Sequence, residues 1–497
     1  MVNSSPKAAR PAAPAPSGLD SYFEISRRGS TVSREVRGGL VTFFTMAYII
    51  VLNPLIIGTT PDKAGNLITG VPFATATDAD KGASIAAVAV ATSLIAGLMT
   101  ILMGAYARFP IALATGLGLN AVVAYTIAPQ MTWPQAMGLV VWEGVLITIL
   151  VVTGFRRAIF NAVPRTLRSA ISVGIGLFIA FIGLVDAGVV RTGNPIVQLG
   201  IFGSLQGWPI FLFVVVLLLM VTLFVRRVKG AILIAILTGT VLAVIIEAVL
   251  HLGGKTDDNP TGWMLNVPVL GEFTSPNFML LGRVDLFGAF AGGPAVVLGL
   301  LLLVFSLLLS DFFDTMGTIV AVGAEGDLLQ DDGNPPRTQE ILLVDSVAAI
   351  AGGFGSVSSN TSYIESAAGV GEGARTGIAS LVTGAGFLLS IFLAPLVDMV
   401  PSEAAAPALV FVGFLMMSQV VHVDWENPEQ GIPAFFTMTL MPFTYSITAG
   451  IGAGFISYAL IKVVLGKARE VHGLIYLVAA LFVVYFAQGA IMSLIPS

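Results

Sequence analysis

Apolar runs long enough to cross a bilayer recur from end to end of this chain, and no other feature narrows its possible folds so far. A spanning helix needs roughly 20 predominantly apolar residues. The runs read as helices over about Val36–Ile57, Ser84–Tyr106, Ile111–Ile127, Trp133–Phe155, Leu167–Val185, Pro209–Val225 and Ala231–Leu250. A second set covers Ala295–Gly323, Ile341–Gly355, Thr361–Gly371, Thr376–Val400, Ala404–Val421, Pro433–Ser446 and Ile447–Val464. The third and tenth are short. A charge-free segment, Gly473–Leu494, follows as either a further span or a partly embedded helix. Composition agrees: 11% of the 497 residues are charged, against about 25% in soluble domains.

Several function classes drop out at once. The absence of cysteine excludes disulfides and thiolate chemistry. A net charge of −5, dispersed along the chain, gives no footprint for nucleic acid. His251, His422 and His472 fall at segment ends or in loops, so neither a buried histidine relay nor a metal site is expected, and no cofactor.

Residues 1–25 read as a disordered tail rich in Ala, Pro and Ser, without the apolar core of a signal peptide. With the N-terminus placed inside, only Lys63, Lys81, Arg191, Lys255 and Arg283 of the 24 basic residues fall outside, as the positive-inside bias requires. The two halves echo each other. Asn161–Ala–Val–Pro164 precedes the fifth span and Asp398–Met–Val–Pro401 the twelfth. Each half also has a short broken segment in third place, Ala112–Asn120 and Gly355–Glu365. Seven is odd, so the second copy inserts upside-down. Inverted repeats with paired broken segments point to a transporter with its site near the midplane.

The candidate site lies in Ser310–Asp–Phe–Phe–Asp–Thr–Met–Gly–Thr318 and Tyr363–Ile–Glu–Ser366. Carboxylates at membrane depth are costly, by roughly 2.5–3.5 kcal/mol on insertion scales, and so usually face a cavity or pathway. Asp311 and Asp314, three residues apart, share a helix face. Asp314 reads as facing substrate, with Asp311 a coupling group or an interhelical partner. Glu365 follows the polar run Ser358–Ser362, and reads as the acceptor of a ligand's hydrogen bonds at the start of a half-helix. Asn120 offers an amide that donates and accepts at once, suited to a heterocycle's edge. Gly118, Thr361 and Tyr363 complete the expected binding set. Glu143 and Asp345, also at membrane depth, read as satisfied helix–helix contacts. Thr45–Tyr48 reads as packing.

These residues closely resemble the AzgA-like purine permeases of the nucleobase–ascorbate (NCS2) transporter superfamily. The resemblance rests on Thr42–Pro54, Gly118–Ala121, Asp311–Thr318, Tyr363–Gly369, Gly373–Gly377, Ala406–Leu409 and Met441–Ser446, in order, over nearly the whole chain. It departs at Ala114–Thr115–Gly116, where the family pattern has Ala-Pro-Gly. The resemblance implies an all-α polytopic 7+7 inverted-repeat fold of 14 spans, whose third and tenth begin as short strands. It implies a core domain (30–165 and 291–400) and a gate domain (166–250 and 401–497), with 251–290 an extracytoplasmic loop. It further implies import of a purine base (hypoxanthine, guanine or adenine) with protons by an elevator motion, in a homodimer of a bacterial inner membrane. The family's binding acids match Asp314 and Glu365, and its third-span amide matches Asn120. Glu365, Asp314 or Asp311 would carry the coupled proton. Two rivals stand beside this reading: an anion carrier of the same fold, and a membrane-embedded aspartyl hydrolase using paired carboxylates.

Overall fold

A computed structural model describes residues 18–154, 163–194, 196–269, 275–291, 294–330 and 334–493. The first 17 residues of the expected tail, Arg156, Arg157, Asn161, Asp331 and Asp332 lie outside that set. Residues 18–25 are not part of a free tail. Gly18–Phe23 forms a short helix (α1), and Phe23 and Ile25 are buried against Ile378. Two large apolar side chains within three residues are enough to dock the segment.

Among the described residues, ten helices are long and apolar enough to cross a membrane. The first span is bent at Ala47–Tyr48 into α2 (Val32–Met46) and α3 (Ile49–Gly58). Next come α4 (Asp78–Leu102), the broken third span with α5 (Leu117–Ala121), and α6 (Trp133–Val152). The first half closes with α7 (Arg165–Asp186), α8 (Trp208–Val225) and α9 (Ala231–Leu250). The second half repeats the order with α10 (Pro294–Glu325), α11 (Thr338–Phe354), the broken span with α12 (Ser366–Gly371), and α13 (Gly377–Ser390). It ends with α14 (Ser402–Met417), α15 (Pro428–Thr444) and α16 (Ile447–Val464). A last helix, α17 (Gly473–Ser493), packs on α16, with the Phe455 and Phe482 rings stacked 6.5 Å apart.

The packing has the symmetry of an inverted repeat. Spans two and eleven (α4, α13) lie along each other, and so do their counterparts, spans nine and four (α11, α6). Spans five and twelve (α7, α14), which the repeat exchanges, pack directly together. Lipid gives helices no hydrophobic reason to associate, so such crossings rely on close approach at small residues. A Cβ on Gly384 of α13 would stand 2.7 Å from the Gly97 carbonyl oxygen of α4. One on Gly144 of α6 would stand 2.7 Å from the Ile350 amide nitrogen of α11. Helices α7–α9 and α14–α16 form one packed group, and the remaining spans form another.

The two broken spans meet at the centre. Strand β1 (Leu113–Thr115) pairs antiparallel with β4 (Asn360–Ser362), with Ala114 opposite Thr361. All six residues are buried. Non-helical backbone at this depth must be satisfied by protein. The Thr100 hydroxyl of α4 does this on one edge, accepting from the Leu113 amide and donating to its carbonyl, both at 2.9 Å. The entry to β4 is contorted: Ser356 and Ser358 hold φ of 57° and 74°. Non-glycine residues persist there only when their surroundings impose it, commonly at functional sites. The hairpin of β2 (Val190–Thr192) and β3 (Val197–Leu199) lies in the loop before α8.

Candidate functional site

The central strands fix the site because each leads straight into a half-helix. Gly116 donates its amide to the Ser359 carbonyl at 3.1 Å, and Tyr363 donates to Ala112 at 3.0 Å, extending the ladder past both strand ends. The Ala112 amide also donates to the Ser366 hydroxyl at 3.0 Å, tying the start of α12 to β1. Glu365 is thereby held beside the strand pair, at the beginning of α12.

Asp314 projects from the middle of α10 and faces Glu365. Asp314, Gly317, Ala321 and Ala324 are exposed, a spacing of three and four residues that marks one helix face. This open stripe starts at Asp314 and runs to the C-terminal end of α10. Glu365 is half-buried and Ile364 is 47% exposed beside it, so both carboxylates border the exposed stripe. Behind Glu365, the buried Tyr48 donates its hydroxyl to Oε1. The sequence reading treats Tyr48 as packing. Its ring packs, but its hydroxyl serves the site, and the bend between α2 and α3 puts it there. No spacing in the sequence signals that contact.

The other expected residues fall into two places. Gly118 is partly exposed and lets α5 approach α7, since a Cβ would stand 2.8 Å from Ile175 Cγ2. Asn120, Thr361 and Tyr363 are buried next to the path. Asn120 accepts from the Thr115 hydroxyl, and its Nδ2 has no partner among the described residues. Thus the residue that departs from the family pattern supplies a donor that a proline lacks. Tyr363 donates to the Thr115 carbonyl at 2.6 Å. Thr361 bonds Thr315 at 2.7 Å, and Thr315 donates to Asp345 at 2.8 Å. Asp345 also accepts from Ser362 at 2.8 Å. Asp345 is therefore the clamp that fixes β4 between α10 and α11, as the reading of a satisfied contact requires.

Glu143 departs from its expected part. It is fully buried, but neither carboxylate oxygen has a hydrogen-bond partner among the described residues. Asp311, one turn before Asp314, is likewise buried with both oxygens unpartnered.

Two inverted halves, paired broken spans and a polar centre on a solvent path define a membrane transporter. Residues 33–453 match the profile of the xanthine/uracil permeases, described as Permease family, and the chain belongs to that family. It is 36% identical over 470 residues to the adenine permease AdeP of Escherichia coli (strain K12), covering 94% of this chain and 95% of that one. It is 37% identical to the guanine/hypoxanthine permease PbuG of Bacillus subtilis (strain 168), covering 94% and 99%. Among solved structures, the transmembrane domain of the cyanobacterial bicarbonate transporter BicA superposes with a TM-score of 0.56 at 14% identity, covering 85% of this chain and 96% of that one. The murine Slc26a9 anion transporter in its inward-facing state gives 0.57 at 12% identity, covering 92% and 74%. The fold is thus the 7+7 inverted repeat. Membership of a permease family also removes the hydrolase reading: the chain is a transporter, not an enzyme.

Proposed function

We propose that this protein imports purine nucleobases by proton symport. The carrying observation is the pair Asp314 and Glu365, facing each other from α10 and α12 at the head of the exposed stripe of α10. A purine is planar, largely uncharged at neutral pH, and presents N–H donors that two carboxylates accept. Among the described residues, the groups that act on the pair are Tyr48 and Tyr363 and the further acids Asp345 and Asp311, and this concentration of acids suits a donor-rich ligand and not an anion. The printed names of the relatives, adenine and guanine/hypoxanthine permeases, support the same substrate class.

In this reading the group holding α2–α6 and α10–α13 is the core, which carries the site, and α7–α9 with α14–α16 form the gate. The core moves as an elevator against the gate, and two copies pair through their gates in a bacterial inner membrane. The N-terminus is cytoplasmic. Basic residues assigned to the inside meet at one end of the bundle: Arg28 donates to the Arg108 and Arg375 carbonyls, and Arg37 and Lys229 both pair with Glu372. With this topology the open stripe of α10 faces the cytoplasm.

The test is uptake of labelled hypoxanthine by proteoliposomes, with and without an inward proton gradient, in competition with adenine, guanine, xanthine and uracil. Gradient-driven accumulation blocked by purines and not by uracil is expected. Folded protein that accumulates nothing under any gradient would refute the reading.

A further inference from the structure

Glu143 and Asp311 are acids that the substrate site does not use. Both are fully buried, and all four of their carboxylate oxygens lack partners among the described residues. Glu143 is acted on by the Ser359 hydroxyl and by Asp345; Asp311 is acted on by Asp345, Glu143, Thr361 and Asp314. Among the described residues, no cation appears in the groups facing either. On the adjoining segment, the side-chain atoms of Ser359 and Asn360 are buried and make no close hydrogen bond among the described residues. A satisfied core does not hold this many idle donors and acceptors together.

The elements packed on α6 define what else faces Glu143. Helix α11 brings Asp345, and α10 brings Asp311 with Asp314 beyond it. The turn at Gly288–Ala291 brings no titratable residue, and the turn at Val122–Ile127 brings Tyr125, which donates to Asp186 at 3.4 Å.

We propose that Glu143 and Asp311 form a proton-holding site beside the substrate site, and that Glu143 carries the coupled proton. This rests on the symport reading above. An unpartnered carboxyl with no cation in reach stays buried by holding a proton. When the proton leaves, the Ser359 hydroxyl beside Glu143 and the Thr361 hydroxyl beside Asp311 are donors that a carboxylate needs. Asp311 links this chamber to Asp314, one turn further along α10, where solvent is reached. The proton enters with the base, rests on Glu143, and passes by Asp311 and Asp314 to the water of the open stripe. While the proton rests on Glu143, both carboxylates of the substrate pair are free to bind, and Asp314 passes the proton on only after the base has left.

The experiment compares Glu143→Gln with the unaltered protein in proteoliposomes, using labelled hypoxanthine. Two rates are read: accumulation driven by a proton gradient, and exchange at equal concentrations on both sides without a gradient. The expected result is gradient-driven accumulation reduced to the level without a gradient, with exchange within about twofold of the unaltered protein. A Glu143→Gln protein that still concentrates hypoxanthine would overturn the assignment and leave the symport reading standing. Absence of gradient-driven uptake in the unaltered protein would instead overturn the symport reading, and this inference with it. If Glu143→Gln does not fold, Glu143→Asp decides: coupling kept with a displaced pH profile is expected, and an unchanged profile refutes the proposal.

Discussion

The Tyr48 hydroxyl, at the bend of the first span, donates to the Glu365 carboxylate at the start of α12, 317 residues away in the chain. Hydrogen bonds to charged groups contribute about 1.5–3 kcal/mol. Tyr48→Phe removes the donor and keeps the ring, so the helices still pack. The apparent KM for hypoxanthine is expected to rise about ten- to a hundredfold, with the amount of folded protein unchanged. An unaltered KM would show that Tyr48 does not orient Glu365 for the ligand.

Asp314→Asn and Glu365→Gln each replace an acceptor-only group with one that also presents an N–H to the ligand. Once the base covers the site, leaving a ligand donor unpaired costs about 1–3 kcal/mol, which predicts uptake lower by about tenfold in each variant. Initial rates of uptake at several pH values check this. Variants matching the unaltered protein in rate and pH dependence would remove both acids from the site.

The crossing of α4 and α13 leaves no room at Gly384, where a Cβ would stand 2.7 Å from Gly97 O and 3.0 Å from the Ile101 amide nitrogen. Overpacking of this kind typically costs about 1–3 kcal/mol. Gly384→Ala is therefore expected to lower Tm in detergent. At Gly317, a Cβ meets nothing within 4 Å, and Gly317→Ala should leave Tm in place. Equal effects at the two positions would contradict the packing.

The same openness at Gly317 makes it a reporter. The chain contains no cysteine, so Gly317→Cys gives a single thiol on the exposed stripe below Asp314. A membrane-impermeant maleimide should label it in inverted vesicles, and hypoxanthine should slow the labelling. A thiol that never reacts would argue against a water-filled path from the cytoplasm.

At the start of α15, Glu429 pairs with Lys462 at 2.8 Å and with Lys467. Hydrogen bonds from these two lysines hold its carboxyl below the ordinary value of 4.5. A depressed carboxyl stabilises the fold above its ordinary value, and that contribution is lost as pH falls through the lowered one. Tm of Glu429→Gln should therefore lie below that of the unaltered protein at pH 7, with the gap closing under acid conditions. A gap that persists at the lowest pH would mean that the ion pairs are not its source.

Hydropathy alone determined the class of this protein and most of its spans, because a bilayer leaves little choice to a long apolar run. The paired broken segments, an odd number of spans and the acids Asp314 and Glu365 were also legible, since polar residues at membrane depth are too costly to be incidental. Three things were decided only by the tertiary structure. Tyr48 reaches Glu365 because the first span bends, and neither residue signals the other across 317 positions. Asp345 and Glu143 look alike in sequence, each a lone acid in an apolar helix. The first accepts from the hydroxyls of Thr315 and Ser362 at 2.8 Å, while neither oxygen of the second makes a close hydrogen bond among the described residues. Asp311 and Asp314, three residues apart, differ in a related way, one buried and the other exposed. Local pattern sets which residues are polar and on which helix face. Whether a polar group is satisfied, idle or wet depends on neighbours that only the packing of the two repeats brings together.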